Sequence, residues 1–177
     1  MLDKVDEALL REDDGGVVPD GDGWFVVNVA DARAINTNGF GRGARFEGES
    51  RFPGLGINVR VLEPGEPASM YHREGASEAF VVLGGECLAI IEDQVRPMVK
   101  GDFLFTPPGT AHVIVGAGDE ACAVLMAGSR EGETEIFFPA SEVAAKHGAS
   151  VAADTGDPRV AYEGTTMTDP TSLGLPW

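Results

Sequence analysis

The chain has 177 residues, with 13 basic and 29 acidic side chains, and its formal net charge at pH 7 is −16. A charge of this sign repels nucleic-acid phosphates and anionic lipid headgroups, so we expect neither nucleic acid nor a membrane surface as a partner. The length suits one well-packed domain, and the apolar fraction of 43% is ordinary for a globular protein.

Charge distribution and cysteine usage both predict a cytoplasmic protein. The first thirty residues carry too many charges for a secretory signal, and no apolar run approaches the roughly 20 residues that cross a bilayer. Cys87 and Cys122 lie in apolar runs without Cys-x-x-Cys spacing. This context favours buried, reduced thiols over a disulfide or a metal site.

The first 55 residues are predicted to form an N-terminal arm. Apolar residues recur at helical spacing in residues 1–11, which predicts a short amphipathic helix there. Residues 24–29 are predicted to form a strand. The glycine-rich stretch 37–53 is predicted to be a long loop or an irregular β arm.

From Ile57 onward, runs of strand-forming residues recur at short intervals, separated by turn-forming pairs such as Pro64-Gly65 and Pro108-Gly109. Closely spaced hairpins predict antiparallel pairing, and the fold class is therefore all-β, a sandwich or barrel. The predicted strands are 57–62, 79–83, 87–91, 95–99, 103–106, 112–115 and 121–126, with a further apolar run at 136–138.

Two short helices are predicted in a C-terminal extension, residues 139–177. Ser141 can cap a helix that stops at Gly148. Asp157-Pro158 repeats the start signal for a second helix that ends at Gly164. The apolar residues of the turn-rich tail are expected to pack on the barrel or on a partner.

Two histidines stand in turn-punctuated strand contexts that are typical of a metal site. His72 begins a run that contains Glu74 and Glu78, and His112 follows a Pro-Pro-Gly turn. Imidazole and carboxylate groups hold divalent transition metals. Because residues two apart in a strand share a face, His72 and Glu74 can both point into a barrel while Arg73 points outward.

The alternation in strand 57–62 assigns Asn58 and Arg60 to a different environment. They alternate with Ile57, Val59 and Val61 and are predicted to lie opposite the apolar face, toward solvent or a subunit contact. If Arg60 turned inward, it could bind a substrate carboxylate.

The segment from about Gly56 to Gly128 resembles the cupin superfamily, whose two motifs occur here in order. The second motif has the family spacing, although Gly116 replaces the usual closing asparagine. The residues that carry it are Gly101, Pro107, Gly109 and His112.

The first cupin motif fits in its shorter spacing variant through His72, Glu74, Glu78 and Gly85, with Gly65 one residue further upstream than expected. Glu74 stands where cupins usually place a second histidine. An alternative register would put Tyr71 and Arg73 at the two histidine positions. We reject it because it discards His72 and places a cation where a ligand is needed.

The resemblance implies a jelly-roll β-barrel over about residues 56–128, within a single domain of residues 1–177 that has short N- and C-terminal helices. It implies one divalent transition metal (Fe, Mn, Ni or Zn) and a homodimer. The implied metal ligands are His72, Glu74, Glu78 and His112, with Glu74 either a fourth ligand or a general base.

The leading functional hypothesis is a mononuclear metalloprotein that binds a small organic ligand at the barrel metal, with dioxygenase-like oxidoreductase or isomerase/lyase chemistry. One alternative is a non-catalytic small-ligand-binding or sensory cupin. Another is a metal-free sugar epimerase or isomerase with His72 as its base, although the sequence shows few arginines or lysines for a phosphorylated sugar in the cavity. Fold resemblance does not choose between an enzyme and a binding protein.

Overall fold

Two facing antiparallel β-sheets form the body of the protein in the computed structural model, which describes residues 3–131, 135–168 and 172–177. The elements are β1 (Leu9–Asp13), β2 (Gly16–Asp20), β3 (Arg33–Thr37), β4 (Arg42–Arg45), β5 (Leu55–Leu62), β6 (Arg73–Glu74), β7 (Glu78–Gly84), β8 (Glu86–Ile91), β9 (Gln94–Val99), β10 (Phe103–Thr106), β11 (His112–Ala117), β12 (Cys122–Ser129), β13 (Ile136–Phe137), α1 (Glu142–Ala145), α2 (Pro158–Ala161) and β14 (Met167–Thr168).

The larger sheet has the order β10-β7-β12-β5-β4-β3-β14, and the smaller sheet has the order β11-β8-β9. Two further pairs, β1-β2 and β13-β6, stand beside them. Each of the seven strands predicted between residues 57 and 126 is present, with ends that shift by three residues or fewer. The all-β jelly-roll prediction is therefore confirmed, and the larger sheet reaches beyond the predicted core to include β3, β4 and β14.

The main core lies between the two sheets and is built by strand alternation. Phe80 and Val82 of β7 pack there against side chains from the smaller sheet, such as Ala89 and Ile114. Cys87 and Cys122 lie in the same core, both buried and free, as the sequence predicted. Burying apolar side chains between the sheets provides the main driving force for closing the barrel.

A second apolar layer covers the outer face of the larger sheet. Val59 and Val61 of β5 are 2% and 1% exposed, and they pack with Leu173 of the C-terminal tail and with Val27 of the arm. The prediction that Asn58 and Arg60 lie toward solvent or a subunit contact was therefore wrong. The valines face the covering layer, whereas Asn58 and Arg60 share the inward face with Met126 and Val124 of β12.

The physical reason for this reversal is that both faces of β5 are covered. Alternation identifies a buried apolar face only when the other face meets solvent. Here the arm and the tail bury the valine face, and the polar residues line the barrel interior.

A third layer covers the smaller sheet and contains α1. Ala144 and Ala149 pack against Ile90 and Val113, and the backbone amide of Ala144 donates to Oγ of Ser141, which caps the helix. Both predicted C-terminal helices are present but only four residues long. No helix in the described part of the chain is long and apolar enough to span a membrane.

The predictions for the arm were wrong in two places. Residues 9–13 form a hairpin with residues 16–20 instead of a helix, and the turn contains Gly15 with φ +87°. Leu9 is 76% exposed, so a helix here would gain little from burying its apolar face, and short helices without tertiary packing are marginal in water. Met1 and Leu2, the start of the predicted helix, lie outside the described residues.

The predicted strand 24–29 is also absent. Trp24 forms one isolated bridge to Glu7, and the following residues are irregular. Val27 and Val29 instead contribute side chains to the layer over the larger sheet. The apolar residues at 27 and 29 thus have a packing role without strand pairing.

Gly116 stands where the sequence motif usually has asparagine, and the structure explains the exception. The loop after β5 lies directly against this residue: the amide of Gly116 donates to the Glu66 carbonyl, and its own carbonyl accepts from the amide of Gly65. A Cβ at position 116 would lie 2.2 Å from the carbonyl oxygen of Glu63. The close backbone approach therefore requires glycine.

We expect Gly116→Ala to lower the free energy of unfolding by about 1–3 kcal/mol, because the methyl group must displace backbone atoms. Gly156→Ala is the matched control, since the nearest atom to its added Cβ would be 3.8 Å away. The control should change stability by no more than about 0.5 kcal/mol. Urea unfolding of the two variants measures the difference, and equal stabilities would contradict this explanation.

Candidate metal centre

The two predicted histidines are brought together by a reciprocal backbone contact. The amide of His72 donates to the carbonyl of His112 (3.2 Å), and the amide of His112 donates to the carbonyl of His72 (2.8 Å). This antiparallel bridge joins the segment before β6 to the start of β11. The two imidazole ring centroids are consequently 5.0 Å apart.

Both imidazole rings are oriented in the same way by their own strands. Nδ1 of His72 lies 2.8 Å from the carbonyl oxygen of Met70, and Nδ1 of His112 lies 3.0 Å from that of Thr110. A carbonyl oxygen can only accept, so each Nδ1 carries the proton and donates it. Each Nε2 is thereby left as the ligand atom, the arrangement that fixes histidine tautomers in metal sites.

Glu78 supplies the third group. It begins β7, and its backbone carbonyl accepts a hydrogen bond from the buried hydroxyl of Thr106. Its Oε2 lies 2.8 Å from Nε2 of His112. When His112 is neutral and its proton is on Nδ1, Nε2 has no proton to donate to this oxygen, and the buried Oε2 has no other partner among the described residues.

One ligand atom from each of His72, Glu78 and His112 lies within 4.8 Å of the other two. Two imidazole nitrogens and an unsatisfied carboxylate oxygen that converge in this way fit the donor set of a divalent transition metal. The structure thus brings three of the four predicted site residues into one group.

Glu74, the fourth predicted residue, lies outside this group. It is half-buried on β6, and it lines a cavity of about 490 Å³ together with Glu78. Burial raises the pKa of the Glu74 carboxyl group, and the nearby Glu78 carboxylate raises it further. The backbone carbonyl of Glu74 accepts from the amide of Gly109, which ties β6 to the Pro-Pro-Gly turn before His112.

The pKa values of the two imidazoles move in opposite directions. Burial lowers the pKa of His72, and the neighbouring His112 lowers it further. Burial also acts to lower the pKa of His112, but the Glu78 carboxylate outweighs it and the net pKa is raised. In the metal-free protein, a proton between His112 and Glu78 can therefore satisfy the pair while His72 stays neutral.

Aromatic side chains form the wall beyond the histidines. The ring of Phe138 lies 5.9 Å from that of His72, and Tyr162 packs edge-on between Phe138 and Phe40. The hydroxyl of Tyr162 accepts a hydrogen bond from the amide of Met70, the residue whose carbonyl orients His72. Residues from the arm and the C-terminal extension thus support the ligand histidines.

The sequence analysis missed the inward direction of Arg60 and the arginines near it that line cavities. Arg60 and Arg45 line a cavity of about 210 Å³ with Asn58, and Arg51 and Arg130 line the cavity that contains Glu74. Arg60 is the most buried of these four arginines, so the expectation that few cationic residues face the cavity stays a prediction. The signal that could have found Arg60 is the alternation in β5, interpreted with both faces of the strand buried.

The matched family agrees with this geometry. Residues 58–128 match the family model of the cupin domain. The chain therefore contains a cupin domain at these residues. No curated protein matches the chain.

Several solved structures resemble the chain. A candidate sugar phosphate isomerase from Acidithiobacillus ferrooxidans is 30% identical with a TM-score of 0.45; the match covers 47% of this chain and 55% of that one, so this chain spans about half of its length. A sugar phosphate isomerase from Silicibacter pomeroyi is 20% identical over 80% of both chains, with a TM-score of 0.48. A predicted oxalate decarboxylase from Thermotoga maritima is 19% identical over 59% of this chain and 98% of that one, with a TM-score of 0.49.

We expect the imidazole of His112 in the metal-free protein to titrate above the ordinary histidine pKa of about 6.5. In Glu78→Gln its pKa should fall below that value, because burial remains and the carboxylate is gone. NMR titration of the ring protons measures both pKa values. A wild-type His112 that titrates below 6.5 would contradict the assignment.

The same shift predicts a stability difference with a definite sign. Because the pKa of His112 is raised by folding, the pair stabilises the metal-free protein fully below pH 6.5 and loses this effect as the pH rises through the raised pKa. The difference in the free energy of unfolding between metal-free wild type and metal-free Glu78→Gln should therefore decrease as the pH rises above 6.5.

Proposed function

We propose that the protein is a mononuclear metalloprotein that holds one divalent transition metal on His72, Glu78 and His112 and binds a small organic ligand beside it. The observation that carries the proposal is the buried Oε2 of Glu78, which lies 2.8 Å from Nε2 of His112, has no other partner among the described residues, and converges with ligand atoms of both histidines. A buried carboxylate oxygen without a partner is costly unless a cation or a proton occupies the site.

Three protein ligands leave coordination positions for an external molecule. Structural metal sites are closed by four protein ligands, whereas catalytic sites keep a position open. Bound there, a divalent metal supplies Lewis acidity toward a ligand oxygen or, if ferrous, a site for dioxygen. The cavity beside Glu78 gives a small molecule access to this position.

Glu74 is the residue that favours proton-transfer chemistry, of the isomerase or lyase type, at this site. It lines the same cavity as Glu78 without belonging to the metal-binding group. The pKa of its carboxyl group is raised toward the operating pH, and a general acid–base group works best when its pKa is near that pH. In this proposal Glu74 moves a proton to or from the ligand, and His72 and His112 keep neutral Nε2 atoms for the metal.

Metal content tests the first part of the proposal. We expect the untagged protein to bind about one transition-metal ion per chain and His112→Ala to weaken binding by more than roughly 100-fold, since even outer-shell partners contribute roughly 10–100-fold. His147→Ala is the matched control, because that histidine follows α1 and does not belong to the group. Elemental analysis and circular dichroism measure metal and folding.

Unchanged metal content in a folded His112→Ala variant would refute the ligand assignment. A wild-type protein that is folded, empty and indifferent to chelators would support a metal-free epimerase or isomerase instead.

Turnover and metal content together test Glu74. We expect Glu74→Gln to retain the metal. Any compound that the wild-type protein converts should be converted roughly 10²–10⁴-fold more slowly by this variant. Glu86→Gln, at an exposed position on β8, is the control. A panel of small acids, diketones and phenols is assayed with the metal-loaded protein.

If Glu74→Gln loses the metal, Glu74 is a fourth ligand and not the acid–base group. A wild-type protein that holds metal but converts nothing in the panel would favour a ligand-binding or sensory role.

A further inference from the structure

Arg60 places a positive charge inside the barrel without an acidic partner. Its position on β5 lies opposite Val124 of β12 and Gly43 of β4, on the inward face of the larger sheet. Its Nη1 donates to the carbonyl oxygen of Phe40 at 3.2 Å. Within the described residues, no carboxylate forms an ion pair with it; burial lowers the pKa of its guanidinium group, and the Tyr162 hydroxyl and the Glu66 carboxylate offset this lowering only in part.

Two other arginines have a structural role, because each pairs with an acid and donates to a backbone carbonyl. Arg42 donates to the carbonyl of Leu173 and pairs with Glu63. Arg130 pairs with both carboxylate oxygens of Glu47 and donates to the carbonyl of Phe52. Each joins two segments through an acid, and Arg60 does not. Because a buried charge without a counter-charge is costly, its retention points to an anion from outside.

The surroundings of Arg60 form a small cavity of about 210 Å³ suited to such an anion. Gly43 has no side chain, so the Arg60 guanidinium lies across β4, about 3.5 Å from where a Cβ would be. Arg45 lines the same cavity, and its charge is close enough to lower the pKa of Arg60 further. Two guanidinium groups that repel each other are both stabilised by an oxyanion between them.

Asn58 connects this cavity to the metal-binding group. Among the described residues, it alone lines the arginine cavity, the cavity with Glu74 and Glu78, and a third cavity between Arg45 and Arg130. Its side-chain Oδ1 is buried and has no hydrogen-bond partner in the part of the chain that the structure describes. An unpaired acceptor on the wall between the two sites calls for a donor such as a hydroxyl group.

We infer that the ligand is a small hydroxylated anion that binds through three points. Its carboxylate or phosphate group lies between Arg60 and Arg45, a hydroxyl group donates to Oδ1 of Asn58, and an oxygen at its other end reaches the group formed by His72, Glu78 and His112. The last contact rests on the proposed metal site. Arg60 lies two positions after Asn58, about 7 Å along the strand, so the ligand needs a chain of several carbon atoms.

Three probes with the same five-carbon chain test the inference: D-ribonate, D-ribose 5-phosphate and the neutral ribitol. Calorimetry with the full-length metal-loaded protein should show at least one anion binding on the order of tenfold or more tightly than ribitol. The tighter of the two anions identifies a carboxylate or a phosphate. Arg60→Gln should abolish the preference, and Arg60→Lys should restore part of it.

Arg96→Gln is the matched control, because it removes one positive charge from an exposed position on β9. It should leave the preference unchanged. Arg60→Gln is expected to fold, since it leaves no ion-paired acid without its partner and removes only the hydrogen bond to the Phe40 carbonyl. Should it fail to fold, Arg45→Gln, at an exposed end of β4, provides the second variant and should also reduce the preference.

Anions that bind no more tightly than ribitol, or an anion preference that Arg60→Gln and Arg45→Gln leave intact, would overturn the inference. Metal content is measured in every sample. If the wild-type protein holds no metal but still shows an anion preference that depends on Arg60, the anion site stands and the proposed metal function falls.

Discussion

The reciprocal backbone bridge between His72 and His112 is the contact on which the rest of the site depends. It fixes the distance between two segments that the chain separates by forty positions, and it places both imidazoles on one side of the bridge. Each ring is then held by a carbonyl two residues earlier in its own segment. Ligand position and tautomer are thus set by main-chain atoms, which are less easily changed by substitution than side-chain partners.

A second constraint is that both faces of the larger sheet are covered. The main core fills the space between the sheets, while the arm and the tail cover the outside. Because the outer valines of β5 are buried by this layer, the inward positions of the same strand are free to carry polar residues. The barrel interior therefore combines an apolar end near Val82 with a polar end that contains Asn58 and Glu78.

The sequence predicted the strands from Ile57 onward and selected His72, Glu78 and His112 as candidate ligands, because strand alternation and turn residues are local signals. It also placed His112 correctly, through the rigid turn before it. The N-terminal helix and the direction of Arg60 failed for a different reason. Both depend on which distant segment covers a surface, and that information lies in packing between residues far apart in the chain.

Tyr162 carries a consequence for the size of the functional unit. Its ring closes the space between Phe40 and Phe138, and its hydroxyl holds the backbone beside His72. These groups come from outside the segment that matches the family model. A fragment limited to residues 58–128 would therefore lack the aromatic wall beside His72 and would expose the valine face of β5 to solvent. A unit that encloses a bound ligand needs the N-terminal arm and the C-terminal extension as well.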